Sequence, residues 1–250
     1  MALVTVVTMR VYTSLHATWG PGAATGFASA GAGVFVGGLC GMVNGLLVTR
    51  LNLPPFVATL GMFGIARGVA VWLAERTTLA FPGKPPEWVE TLAVTSFGNP
   101  GLWSVVLLAG VMGVFLHLTV FGRHLYAVGS NEAAARLCGV DVNRIRLSVY
   151  TRAGLLTGWA GVVLFAHSNS GNPTLGEQLE LDVITAVVIG GASLSGGKGT
   201  VVGALLGVAI LGLIKNGVSL FNVPVEMQYI LIGVLLLTNV ALNRWRQPTR

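Results

Sequence analysis

From Leu102 to Val120 the chain runs without a formal charge. A stretch that long and apolar must satisfy its backbone amides and carbonyls internally, and a helix does so while crossing about 30 Å of hydrocarbon. Seven further runs read the same way, so the candidates are residues 2–17, 26–48, 56–74, 102–120, 149–166, 183–197, 200–217 and 228–243. The expected fold is all-α, a polytopic transmembrane helix bundle of about eight spans forming one membrane domain over 1–250. Composition agrees, with 53% hydrophobic and 10% charged residues against about 25% charged in soluble domains. The sixth run is the weakest span. Gly190, Gly191, Gly196 and Gly197 with Ser193 and Ser195 predict a helix that ends early in an irregular turn. The first run carries Arg10 and is too polar for a signal peptide, so it reads as a working span.

Small residues four apart let helix backbones approach closely. Gly33, Gly37, Gly41 and Gly45 form one such stripe, and Gly64 with Gly68, Gly154 with Gly158, and Gly203 with Gly207 repeat the spacing. Tight helix crossings are expected at all four places.

Lysine and arginine concentrate on cytoplasmic loops. With residues 121–147 placed in the cytoplasm, that side also receives Arg50, Arg152, Lys198, Arg244, Arg246 and Arg250, whereas the other side holds Arg76, Lys84 and Lys215. Both termini are then expected in the cytoplasm. The net charge of +6 suits anionic lipid and requires no nucleic acid.

Chemistry within the membrane finds little support. All nine acidic residues fall in predicted loops or at span ends, which leaves no carboxylate for a proton relay. His16, His117, His124 and His167 share no metal-ligand spacing, Cys40 and Cys138 lack any motif spacing, and no catalytic arrangement is present, so neither a metal nor a catalytic residue is expected. GGASLSGGKGT (190–200) imitates a phosphate-binding loop, but Ala192 and Gly199 stand where that pattern needs glycine and a hydroxyl. It reads as a cytoplasmic turn, and the chain is expected to bind no cofactor.

One polar island remains, Gly122 to Arg146. Asn131 is a good helix N-cap, Glu132 suits the positive end of the helix and can pair with Arg136, and Gly139 stops the helix. A two-turn helix is expected, offering Ala133, Ala134, Leu137 and Cys138 to a neighbour. By physics alone it could equally be an inert loop helix or one docked on a partner. For a solute path the candidates are Asn44, Asn216 and Arg67, the last because a cation near mid-span needs a partner or water. Asn44-Gly45 followed by Asn52-Leu53-Pro54, and Asn216-Gly217 followed by Asn222-Val223-Pro224, suggest an inverted repeat.

LNLPPFVATLGMFGIARG (51–68), GRHLYAVGSNEAAARLCGVDVNRIRLSVY (122–150), ELDVITAVVIGGASLSGGKGTVVGALLG (180–207) and GLIKNGVSLFNV (212–223) resemble segments of permease subunits of bacterial ABC importers of the ribose and simple-sugar type. The resemblance covers about 26–243. It implies a multi-pass permease in the bacterial inner membrane with a cytoplasmic C-terminus, forming a pore as a homodimer or with a related permease. It further implies cytoplasmic ATP-binding subunits that carry ATP and Mg, and a periplasmic sugar-binding protein. Glu132, Ala133 and Ala134 would correspond to the Glu-Ala-Ala loop that sits on the ATPase, with Asn131, Arg136, Leu137 and Gly139 completing the contact. Four residues separate Ala134 from Gly139 where the wider pattern has three, and a Gly-x-Asp-Leu-Ser-Val-Gly segment expected upstream is absent. The chain thus resembles a permease shortened at its N-terminus by truncation or a late start. Alternatives are the same machinery for nucleosides or branched-chain amino acids, a channel or carrier needing no ATPase, and a non-transporting remnant.

Overall fold

The computed structural model of this chain describes residues 1–20, 22–81, 84–93, 98–221 and 224–246. The helices are α1 (Ala2–Trp19), α2 (Ala23–Arg50), α3 (Pro55–Leu73), α4 (Glu87–Leu92), α5 (Pro100–Leu118), α6 (Val120–Ser130), α7 (Glu132–Leu137), α8 (Val142–Ser168), α9 (Leu179–Ile189), α10 (Val201–Leu220) and α11 (Val225–Arg246). Among the described residues the one sheet is a two-residue antiparallel bridge between β1 (Leu79–Ala80) and β2 (Ser170–Gly171). Seven of the eight apolar runs fall largely on a helix, and the sixth, 183–197, is helical only as far as Ile189. Among the described residues five helices, α2, α3, α5, α8 and α10, are long and apolar enough to cross a membrane. α9 has 11 residues and stops at Gly190, as the glycine cluster predicts.

The helices gather into two compact units, residues 1–108 with 141–176, and 109–140 with 177–250. In the first unit the seam is the antiparallel pair α2 and α8, where the glycine stripes meet face to face. A Cβ on Gly37 would stand 2.6 Å from the Gly154 carbonyl oxygen, and one on Gly158 2.8 Å from the Val34 Cα. Leucine or valine at these points would force the backbones apart. The pairing sets Gly45 against Leu147 and Tyr150, which brings Arg50 to the same end as Arg144 and Arg146.

α1 leans on this pair through Val4 and Thr8, which meet Gly33, and Val4 also meets Gly161. The Met1 carbonyl lies beside Gly161, in the half of α8 remote from Arg144. α1 thus runs alongside only part of the α2–α8 length. Arg10, expected within a span, donates from Nε to the Leu73 carbonyl at 2.9 Å and pairs with Glu75, closing the end of α3 and neutralising its charge. Tyr12, Phe81, Trp88 and Phe165 form an aromatic cluster over the same end of the unit.

In the second unit α9 and α10 cross at Gly190, Gly203 and Gly207. A Cβ on Gly207 would collide with the Ala186 carbonyl. Ala186, Leu211 and Ile232 make the small apolar core, and Asp182 accepts a hydrogen bond from Lys215 Nζ at 2.5 Å. One glycine stripe departs from expectation: among the described residues nothing stands within 4 Å of a Cβ on Gly64 or Gly68. That face of α3 looks outward, so spacing alone had overstated the number of crossings.

Large apolar side chains point away from the packed seams. Phe56, Trp72, Leu107 and Leu213 are each more than two-thirds exposed, while the buried set is rich in alanine, valine and threonine. A chain that hides small residues and presents large apolar ones is built for a hydrocarbon solvent, where close van der Waals packing replaces the hydrophobic effect between helices. The chain is a multi-pass membrane protein.

Candidate functional site

The polar island folds as two short helices. Thr119 breaks away from α5 and caps α6 by accepting from the Gly122 amide at 3.2 Å. Gly122 lies so close to the Leu116 carbonyl that any Cβ would collide with it, and this permits the sharp turn. α6 is a helix that the sequence reading did not foresee, because Arg123 and His124 mark the segment as polar and conceal its amphipathic spacing.

α7 follows the expected pattern closely. Asn131 Oδ1 accepts from the Ala134 amide at 3.0 Å, and Glu132 pairs with Arg136 at 2.8 Å one turn on. At the other end the Gly139 amide donates to the Arg136 carbonyl and the Val140 amide to the Ala135 carbonyl, both at 3.0 Å, with Gly139 at φ 79°. This is a Schellman stop, and its left-handed residue costs a non-glycine side chain about 1 kcal/mol. Ala135 is buried, whereas Ala133, Ala134, Cys138 and Leu137, 90% exposed, stand free on the surface. Leu137 thus lies outside the long apolar helices with its side chain open on a capped two-turn helix.

The glycine-rich turn at 190–200 lies against the end of α6. Tyr126 Oη donates to the Gly199 carbonyl at 2.7 Å. A Cβ on Gly129 would stand 2.6 Å from the Gly197 amide nitrogen, and one on Gly197 2.7 Å from the Ser130 Cα. Gly191, Gly196, Gly197 and Gly199 all have positive φ, which accounts for glycine at these four positions. Sequence reasoning missed this contact, because nothing in the spacing of 122–146 points to residues some seventy positions away.

The three path candidates lie on different helices. In the first unit Asn44, on α2, has a buried Oδ1 that accepts no hydrogen bond among the described residues, and the Arg67 guanidinium on α3 sits 6.0 Å from the Phe63 ring centroid. In the second unit Asn216 is exposed on α10. The second limb of the inverted repeat, Asn222-Val223, lies outside the described residues.

The profile of the family described as branched-chain amino acid transport system / permease component matches residues 1–240. The chain belongs to that family. Curated relatives of this permease include a fructose import permease protein of Rhizobium meliloti, 37% identical over 224 residues, covering 85% of this chain and 61% of the relative. A ribose import permease protein of Bacillus subtilis is 39% identical over 210 residues, covering 80% and 63%. An L-arabinose ABC transporter permease protein of Azospirillum brasilense is 37% identical over 218 residues, covering 87% and 64%. The chain thus spans less than two-thirds of the length of these relatives. No solved structure matches it.

Proposed function

We propose that this chain is the membrane-spanning permease subunit of an ATP-driven ABC importer that carries a monosaccharide of the ribose, fructose or arabinose kind across the bacterial inner membrane. The observation that carries the reading is α7, a capped helix that offers Leu137, Ala133 and Ala134 outward, in a chain whose relatives are named as sugar import permeases. In this reading cytoplasmic ATP-binding subunits grip Asn131, Glu132, Ala133, Ala134, Arg136, Leu137 and Gly139, and hydrolyse ATP with Mg on their own residues. The permease itself performs no chemistry. A second permease copy or a related chain completes the pore, and a periplasmic sugar-binding protein delivers the solute. The C-terminus lies in the cytoplasm, a side supported by the basic residues Arg244, Arg246 and Arg250 near it.

A second reading, the same machinery for branched-chain amino acids, has the description of the family profile in its favour. The deciding experiment is uptake by cells carrying the whole transporter, with labelled D-ribose, D-fructose and L-arabinose set against L-leucine. Sugar uptake that requires the ATPase genes supports the importer reading; leucine uptake alone would replace it with the second.

A further inference from the structure

α9 and α10 run antiparallel with their glycine ends together, Ala186 and Gly190 against Gly203 and Gly207. The 11 residues of α9 reach about 16 Å, while the 20 of α10 reach about 30 Å. α9 therefore starts short of the Leu220 end of α10, and its entry is irregular. Gln178 caps it at φ 68°, a left-handed conformation that a side-chain-bearing residue adopts only under constraint. A short interrupted helix inside a transport bundle is a recurrent place for a solute to bind.

Polar groups converge there. A cavity of about 120 Å³ is lined by Gln178, Asp182, Thr185, Tyr229, Ile232 and Gly233. The Asp182 side chain is only 16% exposed, and its Oδ2 is held by Lys215 Nζ. Its Oδ1 receives no donor among the described residues and remains free to accept. Thr185 is buried and turns its proton to the Leu181 carbonyl at 2.7 Å, which leaves its oxygen lone pairs as acceptors. Gln178 adds an amide, and Tyr229, half exposed, supplies both a phenol and a ring face.

We propose that this cavity is a weak binding site for a neutral polyhydroxy solute, a pentose or hexose, with Asp182 Oδ1 and Thr185 accepting from ring hydroxyls and Tyr229 lying against the C–H face. The proposal rests on the importer reading above and gives it a place of contact within the chain. Neutrality follows from Lys215, which already balances the carboxylate: a zwitterion would have to part that pair in a poorly solvated site, at a cost its own charges must repay. Weakness follows from size. About 120 Å³ is well under the roughly 300 Å³ at the lower end of ligand pockets, so the site grips one edge of a sugar ring, and a transported solute must also be able to leave.

The test uses the complete permease–ATPase complex in nanodiscs, with Cys40→Ser and Cys138→Ser removing the native thiols. Gly233→Cys places a reporter at the cavity, where a Cβ meets nothing within 4 Å. The expected result is that D-ribose slows maleimide labelling of this cysteine while L-leucine does not. Asp182→Asn raises the half-protecting sugar concentration by about tenfold, the equivalent of about 1.4 kcal/mol, and Thr185→Val raises it similarly. Absence of protection by ribose, protection by leucine to the same degree, or full protection in both variants would each overturn the site. Recovery of protection in the charge-exchanged Asp182→Lys/Lys215→Asp protein would also overturn it, by reducing the pair to a tether. Uptake by the whole transporter, measured in parallel, keeps the two ideas apart: protection without uptake sinks the importer reading, and uptake without protection sinks the site.

Discussion

Gly139 and Leu137 show how much one residue can carry in α7. Replacing Gly139 with alanine puts a side chain at φ 79° and loosens the helix stop by about 1 kcal/mol, so co-purification of ATPase subunits should fall while the chain still inserts into the membrane. Leu137→Asp should do the same more sharply, since the side chain is 90% exposed and its loss costs the fold nothing. The Glu132–Arg136 pair gives a control. It lies on the surface, where such pairs contribute about 0.5 kcal/mol or less. A Glu132→Ala protein that keeps its melting temperature but loses the ATPase would tie Glu132 to the partner; one that keeps both would remove it from the contact. These local features were legible in the sequence, because a cap, an ion pair one turn apart and a glycine stop all lie within nine consecutive positions and obey short-range rules. The pair between Asp182 and Lys215 was not, since charge spacing along a chain does not reveal which helices will cross.

At the scale of elements the glycine stripes separate into seams and open faces. Gly37→Leu or Gly154→Leu should split α2 from α8 and abolish a monodisperse protein in detergent, because each added side chain meets backbone. A Cβ on Gly64 or Gly68 meets nothing within 4 Å among the described residues, so Gly64→Leu and Gly68→Leu should leave the protein monodisperse; collapse of those variants would show that α3 is covered by another subunit. The joint between α6 and the 190–200 turn makes a different prediction. Tyr126→Phe removes the hydrogen bond to Gly199 while keeping the ring, so the complex should assemble and hydrolyse ATP but move less solute per ATP, read as the ratio of uptake to phosphate release. An unchanged ratio would assign the bond to stability alone. Periodicity identified α2 and α8 because long apolar runs dominate it. It overlooked α6, whose polar residues resemble a loop until Thr119 and Gly122 are seen turning the chain.

For the whole molecule, apolar runs and the basic bias were enough to determine a multi-pass helical membrane protein, since a low-dielectric solvent leaves backbone and charge few alternatives. The motifs at 51–68, 122–150 and 180–207 determined the family in the same way, being local strings that need no folding to be read. Tertiary structure decided what lies against what: that the two glycine stripes of the first unit close on each other while Gly64 and Gly68 stay open, that Arg10 is neutralised by Glu75, and that α1 runs beside only part of α8. It also set the 190–200 turn against the end of α6. The physical reason is range. Hydrogen-bonded caps and hydropathy act over a few residues and are written along the chain, whereas helix crossings depend on shape complementarity between segments tens to more than a hundred residues apart, which exists only once the chain has folded.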